Sequence, residues 1–334
     1  WGESNLKWIR PLRNILCIFN KKHIKIKLHE FVSSNHTLSS NLLDKNKIKI
    51  NSGTDYFRKL KNMNVIISQH ERKKYIINKG IKIASKLNLE VKFDKEITNE
   101  VVNLVEFPVL FLAKFDKKYL KLPSEILVTS MKKNQKYFPL YKKNKELSNF
   151  FLVISNINPK DNGKTIIEGN QRVIAARLED ANFFWNKDIQ ESFNNKKRKL
   201  ERVIFHNQLG SVENKVKRMM SLAEDLKIIL KLDKKDLFTL KKATEICKND
   251  LVTEIVREFP SLQGLMGYYY SKNDNYDEEI SKAIKDHYKP YGPLDNCPET
   301  KLSSILAIID KLDTLSGFFS INKEPTSSKD PYAL

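Results

Sequence analysis

Apolar residues in the first half of the chain come in short runs, ILCIF, HIKIKL, KIKIN, VLFLAKF, ILVTS and FFLVIS, separated by polar stretches. Runs this brief and rich in β-branched and aromatic residues predict strands. They alternate with two or three helical patterns, one of them over residues 71–87. The stretch SSNHTLSSNLLDKN interrupts the pattern, because Ser, Asn and Asp compete for nearby backbone hydrogen bonds. NPKDNGK, residues 158–164, interrupts it again with Pro, Asp-Asn and Gly. Beyond that point the period becomes helical. Ile167, Ile174, Leu178, Ala181 and Trp185 line one face of a helix. Val212, Val216, Met219, Ala223, Leu226 and Leu230 form a second seam, with Ser211 as its N-cap. Further helices are predicted over 238–250, 252–258, 264–271, 278–287 and 302–318, with EFPSLQG and KPYGPLDNCPE as breaks. The expected fold class is α+β: a mixed α/β domain over residues 1–163, then an all-α domain over 164–334.

Composition agrees with two folded domains, since 334 residues with 40% hydrophobic content suffice for two cores. Charge adds more. Sixty Lys and Arg against 40 Asp and Glu leave a formal net charge of +20, which points first to nucleic acid and then to an anionic membrane or an acidic partner. An AT-biased genome also favours Lys, Asn and Ile, so the excess alone does not select among these. No apolar run reaches the roughly 18 residues of a membrane helix; VVNLVEFPVLFLAKF is interrupted by Glu106 and Pro108. Cys17, Cys247 and Cys297 have neither disulfide nor zinc spacing, which fits a reducing cytoplasm. The chain starts at Trp1 without an initiator Met and stops at Leu334 in mid-motif, so it reads as an internal fragment of a longer protein.

Candidate chemistry follows the charge. Lys132, Lys133, Asn134, Gln135, Lys136 and Tyr137 form a basic, amide-rich block, offering donors to phosphate oxygens and an aromatic face for an unpaired base. The same block also reads as a solvated loop anchored by Tyr137 and Phe138. Lys196, Lys197, Arg198, Lys199 and Arg202 make the densest positive cluster, a candidate for nucleic-acid backbone contact or else a solvated helix face. Arg172 and Arg177 have carboxylates at helical spacing in Glu168 and Asp180, pairs worth only a few tenths of a kcal/mol, and the favoured reading is that the two arginines organise the interface between the domains. Asp250 and Asp310 lie beside apolar stripes, where a carboxylate needs a partner, so pairing with Lys or Arg or capping is the leading reading; His206 is the histidine that could instead join them in a degraded metal-hydrolase site. Asp286-His287 reads as part of a surface helix. There is no glycine-rich phosphate loop, no GxSxG and no Cys-His dyad. No catalytic residue and no metal site are assigned to the chain.

The segments LPSEILVTSMKKNQKYFPLY, EGNQRVIAARLEDANFFWNKD, HNQLGS, LVTEIVREFPSLQGLMGYYY, DKLDTLSGFF and PTSSKDPYAL decide more than any single motif. In order and spacing they resemble the β subunit of the bacterial two-subunit glycyl-tRNA synthetase. The resemblance covers the whole chain and is weakest over residues 21–104. It implies a first domain similar to the editing domain of phenylalanyl-tRNA synthetase β subunits and a second similar to HD-type helical domains. It implies, further, an assembly of two α and two β subunits in which the α subunit holds glycine, ATP and magnesium, while the β subunit handles tRNA(Gly) in the cytoplasm. By the same resemblance this chain binds no cofactor of its own. The rival readings are an HD-type metal-dependent phosphohydrolase and a scaffold for the α subunit that does not touch tRNA. Three positions depart from the family pattern: Asn134 in place of a histidine, Asn-His-Thr-Leu around His36 in place of Gly-His-Arg-Phe, and Ser327 in place of a glycine.

Overall fold

The computed structural model describes residues 7, 12–38, 47–326 and 329–332, so the turn expected at Ser327 lies outside the described residues. The chain packs into two compact units. One comprises Trp1–Lys117 with Met131–Ile174, the other Lys118–Ser130 with Ala175–Leu334.

In the first unit, three small antiparallel hairpins come first: β1 (Ile18–Phe19) with β2 (Lys22–His23), β3 (Lys27–Leu28) with β4 (Phe31–Val32), and β5 (His36–Leu38) with β6 (Lys47–Lys49). Helix α1 (Gly53–Asn62) is capped by Ser52, whose side chain accepts from Asp55 N. Helix α2 (Gln69–Ser85) falls where the pattern placed it. A four-stranded antiparallel sheet follows, in the order β7 (Glu90–Val91), β9 (Phe138–Tyr141), β10 (Leu147–Ser155), β8 (Val109–Lys114). Helix α3 (Lys95–Leu104) starts at Asp94, which caps it by accepting from Glu96 N and Ile97 N. Successive residues of β10 point to opposite faces, and both faces are buried. Leu152 packs with Leu110, Phe138 and Leu140 against Ile76, Ala84, Val101 and Val102. Phe151 meets the rings of Phe115 and Tyr137. Each of the Leu, Ile, Val and Phe side chains among these contributes about 1.5–3 kcal/mol on burial.

The run ILVTS, expected as a strand, is helical. It lies in α4 (Ser124–Gln135), where Ile126, Leu127, Ser130 and Met131 are the buried positions. That is a helical repeat, and the strand expectation failed because five residues are too few to show a period of four. The unit boundary also differs from the expected one at residue 163. The loop at 158–164 exists, but it opens helix α5 (Lys164–Gln190), whose residues through Ile174 belong to the first unit. Gly163, at φ +86°, places its Cα against the Phe111 ring so closely that an added Cβ would lie 2.2 Å from a ring carbon. Gln171 Oε1 then accepts from Lys114 N at 2.9 Å, fastening the helix to β8.

The second unit is mainly helical. It carries α5 from Ala175 onward and then a 3₁₀ segment, Phe193–Arg202. A small hairpin of β11 (Ile204–His206) and β12 (Gly210–Ser211) precedes α6 (Val212–Ile229), which Ser211 and Asn214 close with a reciprocal capping box. Helices α7 (Lys234–Ile246), α8 (Glu254–Glu258), α9 (Leu265–Asn273), α10 (Glu278–Asp286) and α11 (Lys301–Ser320) complete it. The predicted 238–250 helix ends early, and its last residues form a 3₁₀ turn, Asn249–Val252. The core joins Ala181, Met219, Ala223, Leu240, Ile255, Met266, Ile284 and Leu306, and Trp185 stacks on Tyr270 at 5.3 Å. Among the described residues no helix is long and apolar enough to cross a membrane.

Candidate nucleic-acid interface

The block at residues 132–137 is the C-terminus of α4, where lysines are favoured by the helix dipole. Lys136 takes φ +56° and ends the helix. Its side chains are already engaged. Lys132 Nζ lies 3.2 Å from Asp94 Oδ2, and Lys136 Nζ lies 2.9 Å from Glu100 Oε2. Tyr137 is 2% exposed, and its hydroxyl donates to Asn170 Oδ1 at 2.6 Å. Burial pushes its phenol up to about 12. The expected aromatic face for a base is therefore absent: the ring belongs to the core, as an aromatic after an amphipathic helix commonly does. Lys133 and Asn134 stay exposed at the helix end, while Gln135 is half-buried, its Oε1 facing the Tyr137 hydroxyl at 3.5 Å.

The cluster at residues 196–202 lies on the 3₁₀ segment and splits by depth. Lys196 is 3% exposed, with its Nζ 3.5 Å from Glu191 Oε2, so it is a partnered core residue and not a surface cation. Lys197 pairs with Glu245 at 2.6 Å and Lys199 with Glu191 at 2.5 Å. Arg198 and Arg202 are exposed, and neither forms an ion pair with another described residue. The tertiary structure adds a cation that spacing could not reveal: Lys187, from the end of α5, reaches Glu254 at 2.7 Å, where Arg257 of the same short helix approaches at i,i+3 spacing and 3.7 Å. A hydrogen bond from Lys187, with the charges of Arg257 and Lys199 behind it, holds the Glu254 carboxyl below the usual range. Lys187, Arg257 and Lys199 thus converge on a surface whose carboxylates, Glu191 and Glu254, are outnumbered. Such exposed pairs are worth only about 0–1 kcal/mol, so phosphate oxygens can take over the cations at little cost. The helical pairs expected of Arg172 and Arg177 do not form; Glu179 instead takes the Tyr119 hydroxyl at 2.5 Å and Lys118 Nζ at 3.0 Å.

The alternative trio of His206, Asp250 and Asp310 is not assembled, and the two carboxylates cap a helix or pair with lysines. His206, on β11, packs edge-on against Phe318 at 5.4 Å, and its Nδ1 accepts from Gln208 N at 3.2 Å. Asp250 is buried and caps α9, accepting from Gly264 N at 2.5 Å and Gly267 N at 3.2 Å. Burial pushes its carboxyl up to about 6. Asp310 is matched by two lysines, with Lys248 Nζ at 3.0 Å and Lys215 Nζ at 3.1 Å. Burial works to raise the Asp310 carboxyl, but the charges of Lys248 and Lys215 outweigh it and hold it low. The histidine at this cluster is His287, read from the sequence as a surface residue and in fact fully buried, with Nε2 2.9 Å from Lys248 Nζ. Burial and then the Lys248 charge push its imidazole down to about 3, so it is neutral. One signal was available in advance: Lys215 interrupts the apolar seam between Val212 and Met219, where a lysine must find partners indoors. Among the described residues no three His, Cys, Asp or Glu side chains are placed to hold a metal ion.

The family model described as glycyl-tRNA synthetase beta subunit matches residues 1–334. The chain belongs to that family. Curated glycine–tRNA ligase beta subunits from Rickettsia bellii (strain OSU 85-389) and Rickettsia canadensis (strain McKiel) are each 41% identical to it over 334 residues, all of this chain and 49% of the relative. The protein of the same name from Rickettsia akari (strain Hartford) is 40% identical over the same span. The chain therefore spans about half the length of the curated relatives it matches.

Proposed function

We propose that this chain is the tRNA-handling part of a glycine–tRNA ligase beta subunit. It binds tRNA(Gly) through phosphate contacts and positions it for ATP-dependent glycylation on an alpha subunit, within a cytoplasmic assembly of two alpha and two beta subunits. Glycine, ATP and magnesium belong to the partner in this reading, and the chain makes or breaks no bond. The similarity of its units to an editing-like and an HD-like domain is part of the same proposal. What carries the reading is the convergence of Lys187, Lys199 and Arg257 on too few carboxylates, with Arg198 and Arg202 exposed alongside on the 3₁₀ segment. A metal-dependent hydrolase would need His206 beside Asp250 and Asp310, and that arrangement is not formed.

Filter binding of tRNA(Gly) across roughly 50–200 mM salt tests it: six or more phosphate contacts imply a fall in affinity on the order of a thousandfold. The double variant R198A/R202A should lower the slope of log affinity on log salt by about two and weaken binding roughly tenfold. An affinity indifferent to salt removes the proposal and leaves the tRNA-independent scaffold.

A further inference from the structure

The buried cluster has the donor set of a cation site, and a side chain already fills it. Lys248 follows α7, His287 follows α10 and Asp310 lies in α11, so one ammonium joins three helices, with Nζ 2.9 Å from His287 Nε2 and 3.0 Å from Asp310 Oδ2. An ammonium only donates, so Nε2 must present its lone pair. His287 Nδ1 then carries the proton and donates it to Ile284 O at 2.6 Å. A backbone carbonyl fixing the tautomer from behind while the other ring nitrogen faces a cation is the arrangement that orients a histidine ligand on a metal. The ring of Tyr288 covers the ammonium at 3.9 Å, and Lys248 itself is 3% exposed. Lys215 Nζ lies 3.1 Å from the other Asp310 oxygen, an ion-pair contact without a hydrogen bond, and it shares Asp313 with Arg218, whose Nε lies 2.6 Å from Asp313 Oδ1. The carboxylates are therefore neutralised from within.

We propose that Lys248 is a built-in substitute for a metal ion: its ammonium permanently occupies an imidazole-carboxylate site and staples α7, α10 and α11, and removing it opens that site to a divalent transition metal. The cavity left by a shortened side chain would offer His287 Nε2 and Asp310 Oδ2 to the ion, with water completing its shell. The inference concerns the inside of the helical unit and stands apart from the tRNA reading.

The test compares the native chain with Lys248→Ala, Lys248→Arg and the double variant K248A/H287A, with Zn²⁺ as the probe. Equilibrium dialysis should show K248A binding Zn²⁺ at least about tenfold more tightly than the native chain and than K248A/H287A. K248R, which keeps the cation, should remain indifferent to Zn²⁺. If K248A fails to fold, refolding it with Zn²⁺ should restore the helical circular dichroism that refolding without the ion does not. A K248A chain, folded or not, that takes up no more Zn²⁺ than the native one and is not rescued by it overturns the proposal. So does a native chain whose own Zn²⁺ uptake is lost in H287A.

Discussion

Lys199 and Lys248 carry the same ammonium within the same helical unit, and the difference lies in what surrounds each. Lys199 stands on the 3₁₀ segment with more than half its side chain exposed and one carboxylate within reach. Lys248 is sealed under Tyr288 with a histidine and an aspartate as partners. At the surface, water competes for every pair and the net worth is small. Inside, each charge is stripped of water, so removing a partner leaves a buried charge uncompensated and is strongly destabilising. The comparison teaches that a lysine count says little about partners. A basic residue is free for a polyanion only when no internal carboxylate needs it, and Lys196, Lys215 and Lys248 are spoken for.

The sharpest way to break this contrast is D310A, which leaves the ammonium groups of Lys215 and Lys248 buried with too little counter-charge. It should cost about 3–5 kcal/mol, read as an earlier denaturant transition of the helical unit. If D310A is as stable as the native chain, the internal cluster is not holding the helices. The tRNA double variant R198A/R202A comes next: its roughly tenfold loss of affinity should leave that transition unmoved.

Acid separates the two environments in another way. His287 is neutral when folded, at about 3 against 6.5 for an unperturbed imidazole, so the unfolded chain takes up a proton first. Its stabilisation is complete above pH 6.5 and is lost as pH falls from 6.5 toward 3, by at most about 1.4 kcal/mol per pH unit. Asp250 works against it: its folded value of about 6 exceeds the ordinary 3.8, so its contribution is full below 3.8 and is lost as pH rises through 6. H287Q should therefore destabilise the chain at neutral pH yet lose less on acidification than the native protein does, a difference measurable by urea unfolding at pH 7 and pH 5. The smallest effect belongs to the first unit. K132A and K136A each remove one surface pair, with Asp94 or Glu100, and should shift stability by under about 1 kcal/mol and leave tRNA(Gly) affinity within a factor of two. A large affinity loss there would move the interface to α4.

Much of the chain was legible in advance where a period had room to repeat. The α6 seam from Val212 and its Ser211 cap are local patterns, and so are α2 and α11. ILVTS was misread because its helical repeat closes only at Met131, just beyond the run. Tyr137 was misread for a different reason: its burial rests on Phe151 and Asn170, which the neighbouring sequence does not announce.

By itself, then, the sequence determined the family, the passage from strand-rich to helical structure and the excess of positive charge, because each is written in composition, order or short-range spacing. Which lysines face water was decided only by the tertiary structure. Lys187 meets Glu254, and Lys248, His287 and Asp310 meet inside, across separations of tens of residues. Desolvation and pairing act at a few ångströms, and no pattern along the chain encodes that distance.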